Sequence, residues 1–520
     1  MRPALLAAAA TALVALAGCT QGGGHPAASP GSGGDSRGTS GGQPLAVGRQ
    51  RLDWHGCGTA GSRLRCAALQ VPLDYARPGG RTITIALSEV PATAPPSRRL
   101  GILLVNPGGP GGSGLSLASF VAQGLDPAVA ARYDIVGFDT RGVGSSVPAL
   151  HCDPSFFADE RPNYIPANAA AERVLQDRAK AYAADCEKKY GWLLPYMTTE
   201  NIARDMDQIR AALGQSKLSY FGYSYGTYIG QVYATLFPHR IRRMVLDSTV
   251  DPTGVWWADN IAQDYAFQGR MNAFYAWLAR YDRVYLLGAT PAAARRSWYA
   301  AVARLAAHPI AKASGPRIGP DEFTDTFEVG GYDNAYWPAL AAALASYLHG
   351  RSGQLVTLFD QVGEQDENEF AVYNAVECAD AAWPRNWSVW NRVNRRVYRA
   401  APFETWDNVW FNAACAYWPV HGPAKPLHIG APGLPGILML QGTLDAATPY
   451  AGAQNAHRLL PTARMVVVEG GGNHGQSLAY PPSTCVNGYL NRYLATGALP
   501  SRPGLVNATC PALPAPVPAG

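Results

Sequence analysis

The sequence is poor in charge. Only 16% of its 520 residues are Asp, Glu, Lys or Arg, and the formal net charge is +5. No block of Lys and Arg and no basic helix face occurs, which argues against a nucleic-acid partner. Cysteine and histidine never take the spacing of a zinc site, so no metal is expected. The glycine run "GGPGGSG" at 108–114 lacks the Gly-Lys-Ser/Thr ending of a phosphate cradle; no nucleotide or other cofactor is expected. What the chain does have is apolar material, 48% of residues, spread along most of its length. That suffices for a large domain and a second one.

The first residues differ from the rest. Arg2 is followed by "ALLAAAATALVALA", an apolar run too short to span a bilayer comfortably, and the pattern reads as an export signal over residues 1–18. "LAGC", ending at Cys19, is similar to the bacterial lipobox, so a lipid anchor on Cys19 is expected. Residues 19–48, rich in Gly and Ser, read as a tether. The expected location is therefore outside the cytoplasm, lipid-anchored at the cell membrane or extracellular. Eight further cysteines suit an oxidising compartment. They fall into couples close in sequence, and loop-closure entropy favours short closures: Cys57 with Cys66, Cys152 with Cys186, Cys378 with Cys415, and Cys485 with Cys510.

Hydrophobic patterning divides what remains. Residues 81–90 alternate as a half-buried strand. Continuous apolar runs begin at 100 and 133 and end in glycine-bearing loops, as buried parallel strands do. Ile202, Met206, Ile209 and Leu213 share one helical face, ahead of the short β-type run "LSYFGYS" and a second helical pattern. Alternating strands and helices predict an α/β fold, a mostly parallel sheet with helices on both faces. The core is expected at 49–250 and 429–520. Residues 251–428 hold eleven of the 13 tryptophans on helical segments and read as an inserted cap whose tryptophans build its core and in part line a pocket.

Ser224, in "GYSYG", then falls on a strand-to-helix turn. A serine hydroxyl becomes nucleophilic when a histidine accepts its proton and an acid orients that histidine. Asp445 in "QGTLDAATP" and His474 in "GGGNHGQS" each follow a predicted strand, in the order Ser, Asp, His. That is the arrangement of an α/β-hydrolase. Asp247, closing the strand after Ser224, is the alternative acid. Oxyanion donors are expected at the N–H of Tyr225, at the start of a helix, and of Gly109, with Gly108 the alternative.

Together, "NPGGPGGSG", "DIVGFDTRGVGSS", "GYSYGTYIG", "AVECAD", "QGTLDAATP" and "GGNHG" give a chain that resembles the secreted bacterial tripeptidyl aminopeptidases, among the proline iminopeptidase-like serine peptidases. The resemblance covers about residues 52–510. It departs from the iminopeptidase loop His-Gly-Gly-Pro-Gly in having Pro107 at the histidine position. The resemblance implies peptide substrates and release of short peptides, tripeptides by the family's habit, from a free amino terminus. An ammonium entering an apolar cap needs carboxylates, and Glu377 and Asp380, three apart, are the expected pair. Two rivals remain: a lipase or esterase acting on cell-envelope esters with the same triad, and a surface binding protein of this fold without catalysis.

Overall fold

The computed structural model describes residues 50–518 except 60, 159–160 and 314. The export segment, Cys19 and the tether lie outside the described residues. Ten strands form one sheet: β1 (His55–Gly56), β2 (Arg65–Pro72), β3 (Thr82–Val90), β4 (Gly101–Asn106), β5 (Tyr133–Phe138), β6 (Leu218–Tyr223), β7 (Ile241–Asp247), β8 (Ile437–Gly442), β9 (Ala463–Glu469) and β10 (Ala508–Pro511). Their spatial order is β1-β2-β3-β5-β4-β6-β7-β8-β9-β10. The pairings from β1 to β5 are antiparallel, and all those from β5 through β4 to β10 are parallel.

The apolar runs of the parallel strands are continuous because both faces are covered. Leu104, Val136, Tyr220 and Leu246 point into the core on one side of the sheet. Leu103, Ile135, Phe221 and Val245, their neighbours in sequence, point into the core on the other. Parallel strands also end on one edge of the sheet, so the loops after β4, β6, β7, β8 and β9 gather there, where α/β folds hold their ligands.

Between β7 and β8 the described residues form helices joined by loops, with no strand of the sheet among them. The first part of this insertion has a core of its own, in which Phe274, Trp277, Trp298, Phe327 and Trp337 are buried together. Trp383, Trp390, Trp406, Trp410 and Trp418, further along, join the apolar cluster on one face of the sheet. Four of this region's indoles stack in sequence: Trp383 on Trp390 at 5.5 Å, Trp390 on Trp387 at 5.6 Å, and Trp387 on Trp410 at 5.0 Å between centroids. The insertion is therefore packed down onto the core. Four cysteine pairs stand at disulfide distance, in the pairing expected from loop closure: 57 with 66, 152 with 186, 378 with 415, and 485 with 510.

Candidate active site

β6 is buried throughout and runs straight into the helix Tyr225–Leu236, with Ser224 between them at φ 53° and ψ −129°. Positive φ is uncommon for a residue with a side chain and is kept only where surroundings enforce it. Here the turn is closed by contact. A Cβ on Gly222 would meet the Gly226 carbonyl oxygen at 2.5 Å, and one on Gly226 would meet the Asn106 oxygen at 2.8 Å. The Ser224 backbone is held by its N–H to Asp247 O (3.0 Å) and by Thr227 Oγ1, which donates to Ser224 O at 2.6 Å. Its side chain makes no capping bond to the helix that follows.

Asp445 and His474 meet as the sequence order suggests. His474 Nδ1 lies 3.0 Å and 3.1 Å from the two Asp445 carboxylate oxygens. Asp445 also accepts from Thr448 N and Thr448 Oγ1 at 3.1 Å and 3.0 Å, which fixes the plane of the carboxylate. Burial disfavours the imidazolium, but Asp445 outweighs it through its charge and hydrogen bond, and the His474 pKa is raised above the ordinary value of 6.5. Asp247 does not contact the imidazole. It accepts from Gln476 N, Ser477 N and Ser477 Oγ, so it anchors the loop just past His474; burial pushes its pKa up to about 6. On the other side, His474 N–H donates to Tyr332 O at 2.7 Å, and Asn473 Nδ2 to Asp333 Oδ1 at 2.8 Å. The histidine loop is thus pinned by the sheet and by the insertion.

The loop after β4 passes very close to the serine. A Cβ on Gly108 would sit 2.8 Å from Ser224 Cβ and 3.0 Å from Tyr225 N. Gly108 N–H is already spent on Asn106 Oδ1 at 3.0 Å. The N–H groups of Gly109 and Tyr225 donate to nothing among the described residues, and both residues line the same cavity as Ser224 and His474.

That cavity, about 380 Å³, is roofed by the insertion. Trp256 alone of the tryptophans lines it; the others belong to the cores. Its walls carry ten carboxylates and no lysine or arginine. Glu377 is among them, buried, accepting from Asn260 Nδ2 at 3.3 Å, with its pKa well above the carboxylate range, chiefly from burial. Asp380 is not. Thr199 donates to its carboxylate through both N–H (2.7 Å) and hydroxyl (2.5 Å), and the Tyr225 hydroxyl lies 2.7 Å from Thr199 Oγ1. Asp380 therefore binds the first residue of the helix Thr199–Ala212, whose N-cap is Thr198, and braces Tyr225 from outside the cavity.

Glu369, Asp259, Asp325, Glu328, Glu404 and Asp407 also line the cavity and were not singled out from sequence. A signal existed, because Asp325 and Glu328, and again Glu404 and Asp407, stand three apart, as Glu377 and Asp380 do.

Sequence comparisons point the same way as this geometry. The profile of the alpha/beta hydrolase fold matches residues 101–479. A tripeptidyl aminopeptidase of Streptomyces coelicolor is 40% identical over 469 residues, 87% of this chain and 85% of that protein. Serine protease Hip1 of Mycobacterium tuberculosis is 32% identical over 483 residues, 87% of this chain and 90% of that one. A carboxylesterase B of the same organism is 33% identical over 452 residues, 84% and 85% of the two chains.

Proposed function

The chain belongs to the alpha/beta hydrolase fold family and is a serine peptidase of that fold, and from this premise we propose that it is an exported aminopeptidase releasing short peptides, tripeptides by its resemblance, from free amino termini. The observation that carries the substrate class is the cavity over Ser224, rich in carboxylates and free of lysine and arginine. Such walls suit a peptide that brings an ammonium in with it. Glu377, with Asp259 beside it, is our choice for that ammonium: Glu377 is buried and Asp259 half-buried, and among the described residues Glu377 is served by neutral donors, Asn260 and Tyr373. Asp380 contributes from behind, by bracing Tyr225.

In the chemistry we assign, Ser224 Oγ attacks the scissile carbonyl carbon while His474 Nε2 takes its proton, and Asp445 holds the Nδ1–H tautomer. The oxyanion formed is held by Tyr225 N–H and Gly109 N–H, which have no other partner among the described residues. Collapse breaks the C–N bond, His474 returns the proton to the leaving amine, and Ser224 is left as an acyl ester. Water, deprotonated by His474, repeats the sequence and frees the short peptide. Export is supported by the N-terminal pattern and the four cysteine pairs, and a lipid on Cys19 would keep the enzyme at the membrane.

An esterase reading has one specific support, the similarity to a carboxylesterase B. Neutral esters gain nothing from ten carboxylates, which favours the peptidase. Tripeptide-coumarin amides with free or acetylated amino termini, assayed with wild type and Ser224→Ala, separate the two. Cleavage of the free form alone, abolished in the variant, is the expected result. Turnover of simple esters with neither amide cleaved would sink the peptidase reading and leave the nucleophile standing.

A further inference from the structure

One terminal ammonium does not account for ten carboxylates. Six of them form two separate groups. Asp259 feels the charge of Glu377, and Glu377 stands with Asn260 and Tyr373. The second group lies on other elements: Asp325 and Glu328 on the helix Pro320–Tyr332, and Glu404 and Asp407 at the start of the helix Thr405–Asn412. Its members perturb one another: Glu404 feels Glu328, and Asp407 feels Asp325, Glu328 and Glu404. None of them is among the charges acting on Glu377.

The second group has too few donors for its oxygens. Arg161 is the cation beside it, and its guanidinium is committed to Glu322 Oε1 at 2.8 Å, Asp325 Oδ2 at 2.7 Å and the Tyr164 hydroxyl at 2.6 Å. Among the described residues no N–H or hydroxyl group donates to Glu404 Oε2, Asp407 Oδ2 or Asp325 Oδ1, all buried; the Asp325 and Asp407 carboxyls lie within hydrogen-bond reach of each other, and Glu404 as a whole is 7% exposed. All four residues line the cavity, and buried carboxylate oxygens there without a donor are an acceptor site in waiting. Among the described residues, no set of His, Cys, Asp and Glu converges as metal ligands do. Tyr332 and Phe411 line the cavity with these acids and offer apolar surface for the stem of a long cationic side chain.

We propose that Glu328, Glu404 and Asp407, with Asp325 beside them, form a subsite for a lysine or arginine side chain within the peptide released, separate from the place of its terminal ammonium. This rests on the aminopeptidase reading. The enzyme then prefers peptides that carry two positive charges at their amino-terminal end.

The test is a panel of free tripeptide-coumarin amides with lysine, arginine, norleucine or citrulline at each position in turn, and acetylated counterparts. Ratios of kcat/KM within one variant divide out any general loss of activity, and fluorophosphonate labelling of Ser224 counts folded sites. Wild type is expected to favour lysine over norleucine by about tenfold or more at one position, the scale of a charged hydrogen bond. Glu404→Gln and Glu328→Gln are each expected to bring that ratio towards one while the ratio of free to acetylated substrate persists.

A wild type indifferent to lysine and arginine at all three positions overturns the subsite. So does collapse of the free-over-acetylated ratio in Glu404→Gln, because the cluster would then hold the terminal ammonium. Equal cleavage of free and acetylated peptides by wild type is a different failure, of the aminopeptidase reading, and takes the subsite with it.

Discussion

In the proposed chemistry His474 works as a base only when neutral. Burial lowers its pKa and Asp445 raises it, with the net above 6.5. Rate should therefore be full above that raised value and fall as pH drops through it. A kcat/KM profile with its acidic limb centred above 6.5 is expected, and one flat from about pH 5 to 8 would count against the scheme. The two candidate acids differ in what they touch, so they should differ in what they do. Asp445→Asn removes the acceptor that fixes the imidazole tautomer and should cost about four orders of magnitude in kcat with little change in Tm. Asp247→Asn leaves the imidazole its partner but spoils the acceptor for Gln476 N, Ser477 N and Ser477 Oγ. About 2 kcal/mol of stability should be lost there, read by denaturant unfolding. If the two variants behaved the other way round, the acid would have been misassigned.

Single elements show which features of the chain could be read beforehand. The parallel strands β4 to β9 and the serine turn were legible because a strand buried on both faces leaves an unbroken apolar run, and a turn this tight demands glycine on both sides. β2 and β10 were not picked out. β10 is four residues long, too short for any period, and its pairing with β9 comes through neighbours distant in sequence. Asp380 shows the limit of spacing arguments. Three residues along a helix do share a face with Glu377, yet Asp380 ends its helix and turns to the N-terminus of the helix Thr199–Ala212, a partner that no sequence pattern names. The acids of the helices Pro320–Tyr332 and Thr405–Asn412 had the same spacing and stand in the cavity. Asp380→Asn should accordingly lower kcat, through Thr199 and Tyr225, and leave the preference for free amino termini intact. Loss of that preference would return Asp380 to the amine site.

At the scale of the whole molecule, the insertion and the sheet share the working parts. The bridge between Cys378 and Cys415 ties the helix carrying Glu369 and Glu377 to the segment just after Asp407. The walls of the cavity are therefore joined covalently, and the stacked tryptophans seat the same region on the core. The base itself is held from both sides, by Asp247 below and by Tyr332 O and Asp333 above. A roof fastened in this way cannot lift without taking the general base away from its acid. Entry is then a matter of threading. On the aminopeptidase reading, chain ends that are loose and slender pass to Ser224, while a terminus folded into a protein surface stays outside, and the enzyme acts as a gauge of which polypeptides have already come undone.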